Sequence, residues 1–227
     1  MKLGVLFSGG KDSVYALQIA RKHHEVVCLI TIISENIESY MFHTPNIDLT
    51  KLQAEAIGLP LLRQVTKGEK EVELEDLRTA IRRAGNEFGI EGIVTGAIES
   101  VYQASRVQKI CDALELWCYN PLWKKDQTEL LRELVDKDYE VMISGAFAYP
   151  FTEDWLGRRL DSKMIEELVK LQDRFSINPS GEGGEIETTV LDAPFFQKRV
   201  RIVEQESSMK NYAGTVLVKK AELVDKT

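Results

Sequence analysis

The stretch Leu3-Gly4-Val5-Leu6-Phe7-Ser8-Gly9-Gly10-Lys11-Asp12-Ser13 decides how this chain is read. Its first residues, Leu3–Phe7, form a short apolar run of strand type. From Asp12 to His24 the apolar positions Val14, Leu17 and Ala20 follow helical spacing. Between them stands a turn with two adjacent glycines. Such a turn lets backbone amides approach an anion closely, and the start of the next helix directs unpaired N–H groups at it. Ser8 and Ser13 add hydroxyl donors. The helix-end field contributes about 0.3–1 kcal/mol, rising to about 2 kcal/mol where partly buried. The pattern therefore positions a phosphate; a tight turn without a ligand is the plain alternative.

Two nucleotide loops are excluded by spelling. A Walker A loop requires G-x-x-x-x-G-K-[ST], but Asp12 follows Lys11 and Val5 stands where the leading glycine belongs. A dinucleotide fingerprint requires G-x-G-x-x-G, and here Gly9 is followed directly by Gly10.

Outward from the loop, strand and helix patterns alternate. Val26–Ile33 is apolar and β-branched, as a strand covered on both faces should be. Asp48–Ile57 reads as a helix, Leu61–Val65 as a strand, Glu71–Phe88 as a long charged helix, Ile93–Ala97 as a strand and Val101–Leu114 as a helix. Ser100 and Gln103 suggest a capping box before that last helix. This order implies right-handed βαβ units and a parallel sheet, an α/β fold. Beyond Pro121–Asp126 the pattern changes: a helix at Thr128–Lys137, a strand at Glu140–Phe147, an amphipathic helix at Asp161–Phe175, a glycine-rich loop at Ser180–Glu185, a strand at Ile186–Leu191, and a hairpin of Arg199–Glu206 with Thr215–Leu223. The expected division is a nucleotide-binding domain at 1–120 and a smaller C-terminal α+β substrate domain at 121–227.

Composition narrows the function. Of 227 residues, 44% are hydrophobic and 29% charged, ordinary for a chain that buries a core. With 36 acidic against 29 basic side chains, the net charge of −7 argues against a protein whose main task is direct nucleic-acid binding. The longest apolar stretch, Val26 to Ile33, is far too short to span a bilayer, and the strand-like start leaves no room for a signal peptide. Cys28, Cys111 and Cys118 form neither a CxxC nor an even framework, so they read as small core hydrophobes in a reducing, cytoplasmic compartment.

The hexapeptide Ser8–Ser13 (SGGKDS) after the first strand resembles the signature of the N-type ATP pyrophosphatases. That resemblance implies a doubly wound, mostly parallel, Rossmann-like sheet and cleavage of ATP between the α and β phosphates, with Mg²⁺ neutralising charge. An acceptor oxygen is adenylated, and a nitrogen or sulfur nucleophile then expels AMP. Ser8, Gly9, Gly10 and Ser13 would contact phosphate, Asp12 would arrange the loop or the metal, and Lys11 occupies the variable position of the motif. No cysteine pair suited to sulfur transfer is present, and the length leaves no space for a glutamine amidotransferase domain. Ammonium becomes the simplest donor.

Four further stretches extend the match: Met41-Phe42-His43-Thr44-Pro45-Asn46; Val94-Thr95-Gly96-Ala97-Ile98-Glu99-Ser100 with Tyr102, Gln103 and Arg106; Pro121-Leu122-Trp123; and Gly181-Glu182-Gly183-Gly184-Glu185-Ile186-Glu187-Thr188. In this order and spacing they resemble the diphthine–ammonia ligase family over nearly the whole chain; Ile186 departs from the aromatic residue common there. The resemblance implies adenylation of the carboxylate of diphthine, a modified histidine on translation elongation factor two, followed by displacement of AMP by ammonia. The protein partner would be that factor, with ATP and Mg²⁺ as cofactors; an oligomer is compatible with the sequence.

The residues suit such chemistry. Diphthine carries a fixed trimethylammonium group, which favours an acidic or aromatic-lined site. In an extended Glu185–Leu191, Glu185 and Glu187 share a face, with Glu182 nearby; the three carboxylates could hold a cation or deprotonate ammonium. A solvated glycine turn with surface glutamates is the alternative. Gly183, Gly184 and Thr188 would help bind the substrate. Thr95, Gly96 and Ala97 belong to the carboxyl edge of the sheet, where open α/β folds bind ligands. Tyr102, Gln103 and Arg106 would meet the α-phosphate or the diphthine arm, or else form an ordinary solvated helix face. His43 divides evenly between a functional and a surface role, and core packing is the expectation for Trp123 and Trp155. Two rival functions remain open: another adenylating ligase with a small-molecule or RNA acceptor, and a non-catalytic adenine-nucleotide sensor.

Overall fold

A computed structural model describes residues 1–36, 45–69 and 71–226. The first layer is a parallel five-stranded sheet built from β1 (Lys2–Leu6), β2 (Glu25–Ser34), β3 (Leu61–Thr66), β4 (Gly92–Val94) and β5 (Trp117–Tyr119), in the order β3-β2-β1-β4-β5. The connecting helices are α1 (Lys11–Arg21), α2 (Thr50–Ile57), α3 (Val72–Phe88) and α4 (Val101–Ala113). The α/β, Rossmann-like reading holds. Ser100 caps α4 as its position suggests, its side chain accepting the Gln103 amide.

One expected strand comes out shorter, and one strand was not expected. The strand predicted at Ile93–Ala97 ends at Val94, because the Thr95 hydroxyl accepts the Ala97 amide and bonds the Asn120 side chain, turning the backbone out of the sheet. β5 adds a short edge strand whose three residues pair with Gly92, Ile93 and Val94.

The second layer is an antiparallel sheet in the order β7-β6-β9-β8, formed by β6 (Glu140–Ala146), β7 (Ile186–Asp192), β8 (Lys198–Lys210) and β9 (Ala213–Asp225). It is accompanied by α5 (Gln127–Asp136) and α6 (Ser162–Phe175), both N-capped by aspartates: Asp126 accepts from Glu129 N and Asp161 from Met164 N. One hydrophobic cluster joins the layers. Leu3, Val5 and Val94 of the parallel sheet pack with Val14 and Leu17 of α1 and with Val141, Ile143 and Val190 of the second sheet. On the other face Ile30 and Ile93 pack against Leu77, Ile81, Val107 and Ile110 of α3 and α4.

Trp155 is buried, but Trp123 is 38% exposed, because Leu122 takes the core position in that turn. Cys28 and Cys111 are buried and Cys118 is half-buried; burial pushes the Cys28 thiol up to about 12. Among the described residues no helix is long and apolar enough to cross a membrane.

Candidate active site

The strand order reverses beside β1: the chain runs outward through β2 and β3, then returns to place β4 on the other side of β1. Open α/β sheets bind ligands at this point, outside the strand carboxyl ends. A cleft of about 340 Å³ opens there. One wall is apolar, formed by Leu6, Phe7, Ile30, Ile32 and Val107. The other is polar and carries Ser8, Gly10–Ser13, Thr95–Ala97, Gln103, Glu182, Gly183, Gly184, Glu187 and Thr188. An apolar slot with a few convergent polar groups is the usual form of a small-molecule site.

The glycine turn is held from behind by residues far away in sequence. Gly9 has φ +77°, and a Cβ there would stand 2.1 Å from Gln53 Oε1, so only glycine fits. Val190 N of β7 donates to Gly9 O at 3.0 Å. The buried Gln53 amide donates to Gly9 O at 2.9 Å and to Val190 O at 2.7 Å. Gly96 packs against the start of α1, where a Cβ would lie 2.8 Å from Ser13 N and from the Asp12 carbonyl carbon. The turn after β4 and the phosphate loop therefore touch through backbone alone.

The N-cap residue of α1, Gly10, has no side chain to cap it. Its Lys11 amide is taken by Thr188 Oγ1 at 3.2 Å, and Val14 N bonds Gly10 O. Among the described residues no acceptor meets the Asp12 and Ser13 amides, which leaves them for an anion, as the open start of a helix allows. Ser8 and Ser13 bond each other, Oγ to Oγ at 3.2 Å, and Ser8 Oγ accepts the Gly10 amide, so the hydroxyls hold the loop in shape.

The charged groups meet just beyond. The Lys11 side chain is only 3% exposed; its ammonium donates to Ser180 O and, at 2.9 Å, to Asp12 Oδ2. Among the described residues the other carboxylate oxygen, Asp12 Oδ1, is buried with no hydrogen-bond partner. Burial pushes the Glu187 carboxyl up to about 7; the Lys11 charge opposes this and Asp12 reinforces it. Burial also raises Glu182, against the pull of the Glu99 and Ser100 amides that its Oε1 accepts at 2.9 and 2.8 Å. Through these bonds Glu182 ties the glycine-rich loop to the start of α4.

Other residues singled out by sequence fall elsewhere. Glu185 precedes β7, which begins at Ile186, so strand alternation does not govern it. Its carboxylate turns back to accept from Asn178 N at 2.9 Å, Asn178 Nδ2 at 2.7 Å and Gly183 N at 2.9 Å. It shapes the loop and does not line the cleft. Arg106 stacks on Tyr102, 3.5 Å from the ring centroid, and pairs with Glu71 at 2.8 Å, in a hollow shared with Arg78 and Lys109. Gln103 alone of that helix trio lines the main cleft. His43 and the rest of Met41–Thr44 lie outside the described residues. Asn46, at the end of that motif, bonds Val216 O and Val218 N of β9, each at 2.8 Å.

Sequence reading did not single out Gln53, Ser180 or Gln127. Gln127 Oε1 accepts from both Ser180 N and Ser180 Oγ, anchoring the loop to the start of α5. Only long-range contacts give these residues a role, so no local pattern marks them.

Comparison with known proteins gives concordant results. The family model described as the diphthamide synthase N-terminal domain matches residues 1–117, and the one described as the diphthamide synthase C-terminal domain matches residues 126–224. The diphthine–ammonia ligase of Schizosaccharomyces pombe is 36% identical over 223 residues, covering 91% of this chain and 37% of that protein. The Homo sapiens protein of the same name is 34% identical over 226 residues, covering 91% of this chain and 84% of its own length. The Saccharomyces cerevisiae protein is 34% identical over 231 residues, covering 87% and 34%. The chain thus spans about a third of the two yeast relatives and most of the human one.

Proposed function

The chain belongs to the diphthamide synthase family, and on that footing we propose that its cleft amidates the carboxyl group of diphthine on elongation factor two, converting ATP to AMP and pyrophosphate with ammonia as nitrogen donor. The apolar wall of Leu6, Ile30 and Ile32 suits an adenine ring, and the polar wall begins where its phosphates would lie. The open amides of Asp12 and Ser13 bind phosphate oxygens, and Lys11 supplies the adjacent positive charge. A carboxylate oxygen of the acceptor attacks the α-phosphorus and pyrophosphate leaves. Ammonia then attacks the acyl carbon and AMP leaves with the bridging oxygen.

Glu187 serves as the proton acceptor that converts ammonium to ammonia. A carboxylate of ordinary acidity is a poor base for so weak an acid, and the shift to about 7 narrows the mismatch. Asp12 Oδ1 fits a metal: it is a buried anionic oxygen with no partner among the described residues. Magnesium sites commonly combine one or two carboxylates with substrate phosphates. When bound, Mg²⁺ neutralises charge on the departing pyrophosphate, and Asp12 is the residue that would hold it.

The observation carrying this reading is the union in one cleft of the α1 start, with its Asp12 and Ser13 amides, and the carboxylate of Glu187. The test is a nucleotide-product assay with ATP, Mg²⁺ and ammonium, with and without diphthine-bearing elongation factor two. AMP and pyrophosphate form only with the factor, and Asp12→Ala abolishes both. AMP formed without the factor would point to another acceptor. ATP bound without turnover in either case would make the protein a nucleotide sensor.

A further inference from the structure

An aromatic ring next to Glu187 has no part in the chemistry described so far. On β6, Gly145 stands opposite Glu187 in the antiparallel register. A Cβ on Gly145 would lie 3.2 Å from Glu187 Cβ and only 2.6 and 2.7 Å from Cε2 and Cζ of Phe147. The absent side chain at 145 is what lets the Phe147 ring fold over the strand beside the stem of Glu187. The ring is nevertheless 38% exposed. Its position is fixed by its own backbone, since Phe147 N donates to Glu185 O at 2.8 Å at the end of the glycine-rich loop. A partly exposed aromatic ring and the stem of Glu187 thus lie on one face of the second sheet, where β7 borders the cleft.

That pairing has a particular chemical complement. A quaternary ammonium has no N–H to donate, so hydrogen-bond acceptors cannot select it. It is attracted by the negative face of an aromatic ring and by a nearby anion. We propose that Phe147 seats the quaternary ammonium of the acceptor side chain, and that its ring is what distinguishes a fully methylated acceptor from one with fewer methyl groups. This rests on the reading of the cleft given above. The quaternary group and the reacting carboxyl belong to one side chain, so a seat beside Glu187 brings the carboxyl to the polar wall. A leucine in place of Phe147 keeps apolar bulk but has no quadrupole; tyrosine and tryptophan keep it.

The test combines kinetics with a simple probe. With diphthine-bearing elongation factor two, Phe147→Leu raises KM for the factor about ten-fold, the scale of a partly desolvated cation–π contact, while KM for ATP stays unchanged. Phe147→Tyr and Phe147→Trp retain the wild-type KM. Tetramethylammonium, used as the probe, shifts the Phe147 ring resonances of the wild type, and it competes with the factor in the wild type but not in Phe147→Leu. Unchanged KM and unchanged competition in Phe147→Leu would overturn the proposal while leaving the amidation reading intact. If the factor is not amidated at all, yet tetramethylammonium still shifts the Phe147 ring and the Gly145 amide beside it, and the Gly145 shift is lost in Phe147→Leu, the quaternary-ammonium seat stands and the amidation reading falls.

Discussion

Glu187→Gln makes the wild-type carboxylate a liability for stability and an asset for catalysis, and the two effects can be measured separately. Partly buried beside Lys11 and Asp12, Glu187 has its carboxyl raised from 4.5 to about 7. At 1.36 kcal/mol per pH unit this displacement amounts to about 3 kcal/mol. The sign follows from proton counting. Between pH 4.5 and 7 the unfolded chain has released this proton and the folded chain still holds it, so stability falls as pH rises through that window. Below about 4.5 the protonated side chain carries no penalty; above about 7 the full penalty is present. Glutamine has no such dependence. Urea unfolding of the two proteins at pH 4.5, 6 and 7.5 should therefore show a difference that grows with pH, in favour of Glu187→Gln, to about 3 kcal/mol. The same variant loses its proton acceptor, and amidation at pH 7.5 falls by about 10² to 10⁴. A stability difference that does not change with pH, or a wild type that gains on the variant as pH rises, would refute this account of Glu187.

Three further substitutions probe the frame around it. Gly9→Ala places a Cβ against Gln53 Oε1 at a φ of +77°; about 1–3 kcal/mol of stability is lost, and ATP binding measured by calorimetry weakens. Gln53→Leu leaves the Gly9 and Val190 carbonyls without the amide that bridges them. It should cost about 1–3 kcal/mol and raise KM for ATP, though Gln53 does not line the cleft. Glu185→Gln removes the charge from a loop clasp to Asn178 and Gly183. Hydrogen exchange at those amides should quicken, with an unfolding cost of about 1–2 kcal/mol.

The first sheet was legible because its signals are local. The switch from the apolar run of Leu3–Phe7 to the helical spacing of Val14, Leu17 and Ala20 brackets the glycine turn, and the β-branched run after Val26 marks a buried strand. That the Ser8–Ser13 and Thr95–Ala97 segments come together at one cleft was legible for the same reason, each following a recognisable strand. What local pattern does not reveal is which distant residues close the site. Gln53 reaches Gly9 and Val190, 44 and 137 positions away, and nothing near residue 53 marks it. The glutamates at 185 and 187 show how a period-two argument fails at a strand end. β7 starts at Ile186, so Glu187 obeys the alternation and Glu185 is taken by the loop. Arg106 was read as a ligand for the α-phosphate or the substrate; Glu71 and Tyr102 engage it instead, an ion pair that spans 35 positions.

The central claim is that the acceptor carboxylate is adenylated in this cleft, and oxygen transfer tests it most directly. Diphthine-bearing elongation factor two, labelled with ¹⁸O in the diphthine carboxyl, is turned over with ATP, Mg²⁺ and ammonium, and AMP and pyrophosphate are examined by mass spectrometry. Attack by the carboxylate on the α-phosphorus predicts one ¹⁸O in each AMP released and none in pyrophosphate. Unlabelled AMP, or label in pyrophosphate, would contradict the mechanism.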